Sequence, residues 1–454
     1  MAVQEHTFTY PRPSAASRTE GRVDLALSTS GGTTTGADDA RGPRFFDGFL
    51  GHPEQSAQGL LAIGRVARTR FWTPPGTLAA ALRAADPVVT SNGDRLRFES
   101  FSACCGVYAR LDLLPGTLPG PALATGTTNV DLNPPVREAL ARVGSRDPLH
   151  LEIGEDVVVT TRERSVTEKK VPLPERWLRG FAEAQVAASS LTLVHEVGPA
   201  EARRLVRSLP SSSAARGVLW VVRAGDGLRL AGRPVGPSVP LAGAERLRVL
   251  EPLLRFARRL RVHAEAAPDA RNPGSSVWEL ELDDARMVLA ISPNRSRGFS
   301  GEGAALWDLA DDDAVDDADL VSALLAYEPT IDVDRLAGES GLPADRVLRA
   351  LGRLGAAGRV GYDSAEGAYF HRELPYDRGA VDGLHPRLAG ARELVGLGAV
   401  HPTDDGAHVR SGDQEYVVRT SPTGDRCTCP WFGKHQGTRG PCKHVLAVRM
   451  VTGR

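Results

Sequence analysis

Cys427-Thr-Cys429, a twelve-residue spacer and Cys442-Lys-His444 place three thiols and one imidazole within eighteen positions. Three thiolates and an imidazole complete a tetrahedral shell for one Zn²⁺ and leave no position for water or substrate. That set predicts a structural ion whose binding is part of folding, not a Lewis acid. The single-residue spacings depart from the commoner CxxC pattern, yet an i, i+2 pair still converges on one ion when it lies in a turn. Redox use of the pair is disfavoured, because such a donor set in a reducing compartment captures metal. His435 lies in the spacer and ranks below His444 as a ligand.

The flanking sequence must position these four side chains. Ala407–Ser411 and Glu415–Thr420 flank Gly412–Asp413, a hairpin signal. Val445, Leu446, Val448 and Arg449 read as a short helix behind the second ligand pair. The cluster resembles the SWIM zinc finger, in which CxC and CxH are separated by a variable spacer; Pro430 and Trp431 follow the first pair as in many such sequences. The resemblance implies a ββα unit over 399–454 with Cys427, Cys429, Cys442 and His444 holding one structural Zn²⁺.

From Gly424 to Arg454 the bases are Arg426, Lys434, Arg439, Lys443, Arg449 and Arg454, and the single acid is Asp425. With a three-thiolate zinc centre the segment carries a net charge of about +4. A small basic module can grip phosphates, which makes Lys434, Arg439, Lys443 and Arg449 candidate nucleic-acid contacts. Trp431 and Phe432 are candidates either for stacking on a base or for capping the small core of the unit.

Upstream, Leu320, Leu324 and Leu325 begin an apolar stripe, and Asp332–Glu339 reads as a second helix. A turn at Ser340–Leu342 leads to a third helix opened by Pro343. On it Val347, Leu348, Leu351 and Leu354 share one face, and Arg346, Arg349 and Arg353 share nearly the opposite one. Two short strands around Gly367 follow, so 306–375 resembles a winged-helix domain. Its charge argues against a DNA role. Asp308 to Arg372 carries eleven Asp and three Glu against six Arg, a net of −8. Affinity for DNA comes mostly from neutralising phosphates, so protein docking or plain architecture is the favoured use.

The remainder reads as a multidomain α+β protein. Residues 1–43 read as a flexible segment: 14–43 are rich in Ser, Thr, Gly and Ala, and Gly31, Gly32 and the threonines after them look like a long loop. No Gly-Lys-Ser/Thr follows those glycines, which excludes a phosphate loop. Residues 44–172 form a first α+β domain with a helix from Pro53, a short helix over 76–85, an Asn92–Gly93 hairpin and a helix capped by Asn133. Its last strands are expected at 148–153, 156–161 and 165–171. Residues 173–305 form a second α+β domain, and 376–398 is a linker with a short helix. Cys104 and Cys105 read as small buried residues, Glu168–Lys170 as a solvated strand end and Arg295–Gly303 as a tight strand-to-helix turn.

Over the whole chain, 55 Lys and Arg balance 56 Asp and Glu, so any grip on a polyanion has to be local. Five cysteines in 454 residues exclude a disulfide-stapled scaffold. Met1–Pro13 has no signal pattern and no apolar run spans a bilayer, so the expected location is cytoplasmic, with no membrane partner. Nucleophile elbows, HExxH and kinase or Walker sets are absent, and the expectation is a protein that is not an enzyme. The layout of Arg44–Phe49, Phe101–Arg110, Arg297–Gly303, Glu373–Asp377 and the terminal unit resembles a family of bacterial SWIM zinc-finger proteins. Such proteins are often encoded beside a MoxR-type AAA ATPase and a von Willebrand factor A protein, which implies a partner role in such an assembly. The leading expectation is a zinc-binding adaptor. The alternative is a DNA- or RNA-binding regulatory protein that uses the basic tail with the winged helix.

Overall fold

The computed structural model describes residues 14–19, 22–28, 33–34, 45–73, 86–120, 124–154, 173–211, 217–374, 385–421 and 424–453. The helix expected at 76–85, the strands at 156–161 and 165–171, Glu168–Lys170 and the Gly31–Gly32 pair lie outside these residues.

The centre of the molecule is a nine-stranded sheet. Across it run Thr192–Val197, Arg259–Ala264, Ser276–Leu282, Ala285–Ile291, Val107–Leu113, Leu96–Phe101, Val88–Ser91, Gly126–Asn129 and Thr33–Thr34. Ala285–Ile291 pairs antiparallel with Val107–Leu113 along seven positions, from Ala285↔Leu113 to Ile291↔Val107. The boundary expected at 172/173 therefore falls within one continuous sheet. A single apolar cluster runs from Val23 to Ile291 beneath it. The two expected α+β domains are one body, because the strands that join them lie about 180 residues apart in the chain, a pairing that no local pattern announces.

The flexible reading of 1–43 is corrected in part. Ala15–Thr19 and Arg22–Ser28 pair as a hairpin, and the second strand runs parallel to Leu149–Gly154. Val23, Leu25 and Leu27 are buried on one face of that strand. Their period-two alternation is the physical cause, and the Ser/Thr-rich surroundings masked it.

Local readings around the central sheet hold. The helix Pro53–Arg68 buries Leu60, Ile63 and Val66, and Asn133 caps Pro134–Ala141 by accepting from the Val136 amide at 3.1 Å. Arg295–Gly303 is a turn in which Gly298 takes φ 64° and lies so close to the backbone of Cys104 and Cys105 that a Cβ would collide with it. The Phe299 amide donates to the Cys105 carbonyl at 2.7 Å. Cys105 is buried, which pushes its thiol up to about 12, and Cys104 is half-buried.

Residues 315–371 supply three helices and a hairpin in the expected order: Val315–Ala323, Val333–Ser340, Ala344–Ala356, then Val360–Asp363 paired with Ala368–His371. On the arginine face of the third helix Arg346 and Arg349 are exposed and Arg353 is half-buried. Arg346 pairs with Asp317 at 2.6 Å, and Arg353 Nη1 donates to the carbonyls of Asp308, Leu309 and Asp311 at 2.9–3.1 Å.

The hairpin does not project from the body. Its Asp363 lies over the central sheet, accepts from Arg97 at 2.8 Å and Arg286 at 3.1 Å, and forms an ion pair with Arg110 at 2.9 Å. Asp112 lies among the same guanidiniums, 2.9 Å from Arg110. Next to them Arg372 binds Glu99 at 2.6 Å, and the Phe370 ring stands 4.1 Å from the Arg97 guanidinium carbon. Burial pushes the Asp363 carboxyl up, but the three arginines, Arg110 foremost, outweigh it and hold the carboxyl well below its usual range.

Candidate metal centre

The C-terminal unit is built on a four-stranded antiparallel meander, Val400–Thr403, Gly406–Ser411, Gln414–Arg419 and Arg426–Cys427. Gly412 takes φ 64° in the turn that sets Ser411 opposite Gln414. Two helices follow, Pro430–His435 and Lys443–Thr452. The meander extends the expected ββα core by two strands. The helix Pro386–Gly396 is also part of this unit. Leu388, Ala391 and Leu394 are buried in one cluster with Val409, Val445 and Leu446, so the expected linker helix is a core element.

Each ligand has a defined backbone position. Cys427 ends the short last strand, Cys429 caps the first helix, Cys442 caps the second and His444 stands in that helix's first turn. The thiol of Cys429 accepts from the Phe432 amide at 3.4 Å, and that of Cys442 from the Val445 amide at 3.5 Å. The Cys429 amide in turn donates to the Cys427 sulfur at 3.5 Å. Amides aimed at sulfur favour the thiolate, the form that binds metal. Capping by cysteine thus does two things at once: it satisfies an orphan helix donor and orients a ligand.

The four side chains are all buried, and one donor atom from each lies within 4.8 Å of the others. Cys427 Sγ stands 3.8 Å from His444 Nδ1. Two donors of a tetrahedral zinc, at bond lengths of ~2.0–2.3 Å, stand ~3.5–3.8 Å apart, so the Cys427–His444 pair is at the spacing of a shared ion and the group as a whole is close enough to close on one. The Cys442 thiol is drawn down to about 4, chiefly by its hydrogen bond with Cys427, and that bond pushes the Cys427 thiol up. Burial raises Cys429. Clustered thiols that compete for a proton in this way are the donors a dication displaces protons from. None of the five cysteines forms a disulfide. His435 is not in the group; its ring stands 4.8 Å from Trp431. Tyr416 closes the other side, with its ring 4.5 Å from that of His444.

The finger is fastened to the body. Arg387 donates to the carbonyls of Arg439 at 2.6 Å, Pro441 at 2.8 Å and Glu302 at 2.9 Å, joining the ligand spacer to the 297–303 turn. Arg439 returns a bond to the Gly301 carbonyl at 2.9 Å. Gly440 sits at φ 70° against the Gly303 carbonyl, where a Cβ would collide. On the body side Glu183 accepts from the Ala304 amide at 2.9 Å. Burial pushes that carboxyl up to about 8. Ala182, Ala305, Leu306 and Leu309 complete the finger's apolar cluster from below.

This joint decides what the basic residues are free to do. Arg439 is spent on it, and Arg449 forms a two-point ion pair with Asp425 at 2.7 and 2.8 Å. Lys443 is half-buried beside Gly390, and Lys434 is exposed. Trp431 and Phe432 pack on the finger's core, and Trp431 also receives the Arg387 guanidinium at 4.8 Å. Sequence reasoning missed Arg387, Glu183 and Trp307. The Arg387 bonds reach 52 to 85 residues along the chain, and no spacing rule signals such contacts.

Residues 416–448 match the SWIM zinc finger family, a span that includes all four ligands. No curated protein matches the chain. Among solved structures, 55% of this chain aligns with 99% of the proliferating cellular nuclear antigen from Entamoeba histolytica, at 7% identity and a TM-score of 0.34. A likeness that slight carries no argument. Among the described residues no helix is long and apolar enough to cross a membrane.

Proposed function

We propose that this chain is a non-enzymatic cytoplasmic adaptor, in which one structural Zn²⁺ orders a finger that the body holds in place for contact with a protein partner. The observation that carries the reading is the Arg387 joint to Glu302, Arg439 and Pro441, which makes the finger a fixed face of the body. A closed donor set gives the ion no open position for chemistry. The acidic segment 306–375, read as a winged helix, then serves as architecture: its hairpin is held over the sheet by Asp363, and Arg346 and Arg353 are bonded internally. The resemblance of the chain layout to bacterial SWIM proteins favours a partner of the MoxR-type AAA ATPase or von Willebrand factor A kind.

A second reading, binding of DNA or RNA through the finger, is favoured by the exposed Lys434 and Arg426. Fluorescence anisotropy of the zinc-loaded chain with duplex and single-stranded DNA and RNA across a salt series separates the two. The adaptor reading expects no binding above about 50 mM salt. Binding that survives about 150 mM salt and vanishes in Cys442→Ser would replace it with the nucleic-acid reading.

A further inference from the structure

Two cavities meet at the joint between body and finger. One, of about 590 Å³, has Glu183, Glu265 and Glu302 on its wall above an apolar side formed by Leu191, Val218 and Phe299. The other, of about 760 Å³, lies between Trp307 and Phe432, with Arg426 at its edge. Asn272 and Thr438 line both, so the two cavities adjoin along these residues and together make one cleft-like surface. The body supplies one side and the zinc-ordered spacer the other.

The two ends differ in chemistry. At the finger end Trp307 is a large apolar side chain left 41% exposed. At the body end Arg297 bonds Glu302 at 3.3 Å. Glu265 forms no ion pair among the described residues, and Asp269 stands near enough, together with burial, to raise its carboxyl. Exposed Arg271 also lines this end. Side-chain amides and hydroxyls of Asn272, Asn294, Ser190 and Ser275 line the stretch around the acidic end. Such a lining suits a polypeptide backbone, and Glu265 offers its carboxylate to a basic side chain.

We infer that this cleft seats an extended polypeptide segment of the partner, with a large apolar side chain against Trp307 and Phe432 and a basic side chain at Glu265. The inference rests on the adaptor reading and names the site through which the adaptor acts. Phe432 and Thr438 belong to the finger, so the cleft is complete only when zinc is bound. Recognition is therefore metal-dependent although the metal never touches the partner.

A library of random dodecapeptides displayed on phage, selected on the biotinylated zinc-loaded full chain, tests this. Enriched peptides should carry Lys or Arg together with Trp, Phe or Leu. A fluorescein-labelled peptide of the enriched sequence should bind Trp307→Ala and Glu265→Lys roughly tenfold more weakly than the unaltered chain. Both variants should retain one zinc per chain, which excludes a folding defect as the cause. Failure to enrich any peptide, or enrichment of acidic ones, overturns the cleft. Enriched peptides bound equally well by both variants also overturn it but leave the adaptor reading standing. Only nucleic-acid binding at about 150 mM salt removes the adaptor reading itself.

Discussion

The zinc finger and the hairpin Val360–His371 both dock on the central body through buried polar side chains, and they are held in opposite ways. The finger gathers four donors from eighteen consecutive positions around one site, and two of them double as helix caps. The hairpin inserts one carboxylate, Asp363, among three arginines contributed by strands 77 to 266 residues away. In the first case the binding free energy comes from an external ion. In the second, desolvation of each charge must be offset by its partners, and the network is stable only when complete. The finger is thus a conditional element of the fold, and the hairpin an unconditional one.

Metal removal is the strongest way to break this symmetry. Zinc in such a donor set is worth roughly 10–16 kcal/mol of apparent binding free energy at neutral pH. A strong chelator should abolish hydrogen-exchange protection of Gly406–Ser411 and Gln414–Arg419 while the Val107–Leu113 and Ala285–Ile291 pair stays protected. Asp363→Ala attacks the other region. It leaves three buried arginines with Asp112 as their remaining shared carboxylate and should cost about 3–5 kcal/mol in chemical denaturation, with zinc content unchanged. Arg346→Ala, which removes the exposed member of the Asp317 pair, should cost no more than about 1 kcal/mol.

Acid sharpens the contrast. Protons compete with zinc for three thiolates, so the metal should leave first as pH falls. The depressed carboxyl of Asp363 contributes stability that is present above its ordinary value of 3.8 and is lost only as pH falls through the lower folded value. Circular dichroism at acidic pH should therefore find the body intact after zinc release. Smaller still is Gly440→Ala, which forces a Cβ against the Gly303 carbonyl at φ 70° and should cost about 1–3 kcal/mol, read as weaker zinc retention. Glu183→Gln should act with the opposite sign. A carboxyl raised from 4.5 to about 8 loses stability as pH rises across that range, so the variant should match the parent near pH 4 and exceed it at pH 8.

The same contrast explains what could be read from sequence. Cys427, Cys429, Cys442 and His444 were legible because a metal shell is written in short spacings, and the helix Pro53–Arg68 because its apolar period repeats locally. Asp363 could be read only as one more acid in a segment of net charge −8, since its partners Arg97, Arg110 and Arg286 are defined by sheet register. The register that sets Ala285 opposite Leu113 also hid the unity of the body. Arg439 and Arg449 look like free bases in sequence, and only the fold reveals the Gly301 carbonyl and Asp425 that engage them.

Zinc stoichiometry of the full chain and of Cys442→Ser, by elemental analysis after exhaustive dialysis, checks the ligand set itself. One zinc per chain is expected in the first. In the second, loss of the ion is expected, with the finger unfolded and the nine-stranded body still folded. One zinc retained at full affinity by Cys442→Ser would contradict the ligand set and the conditional finger built on it.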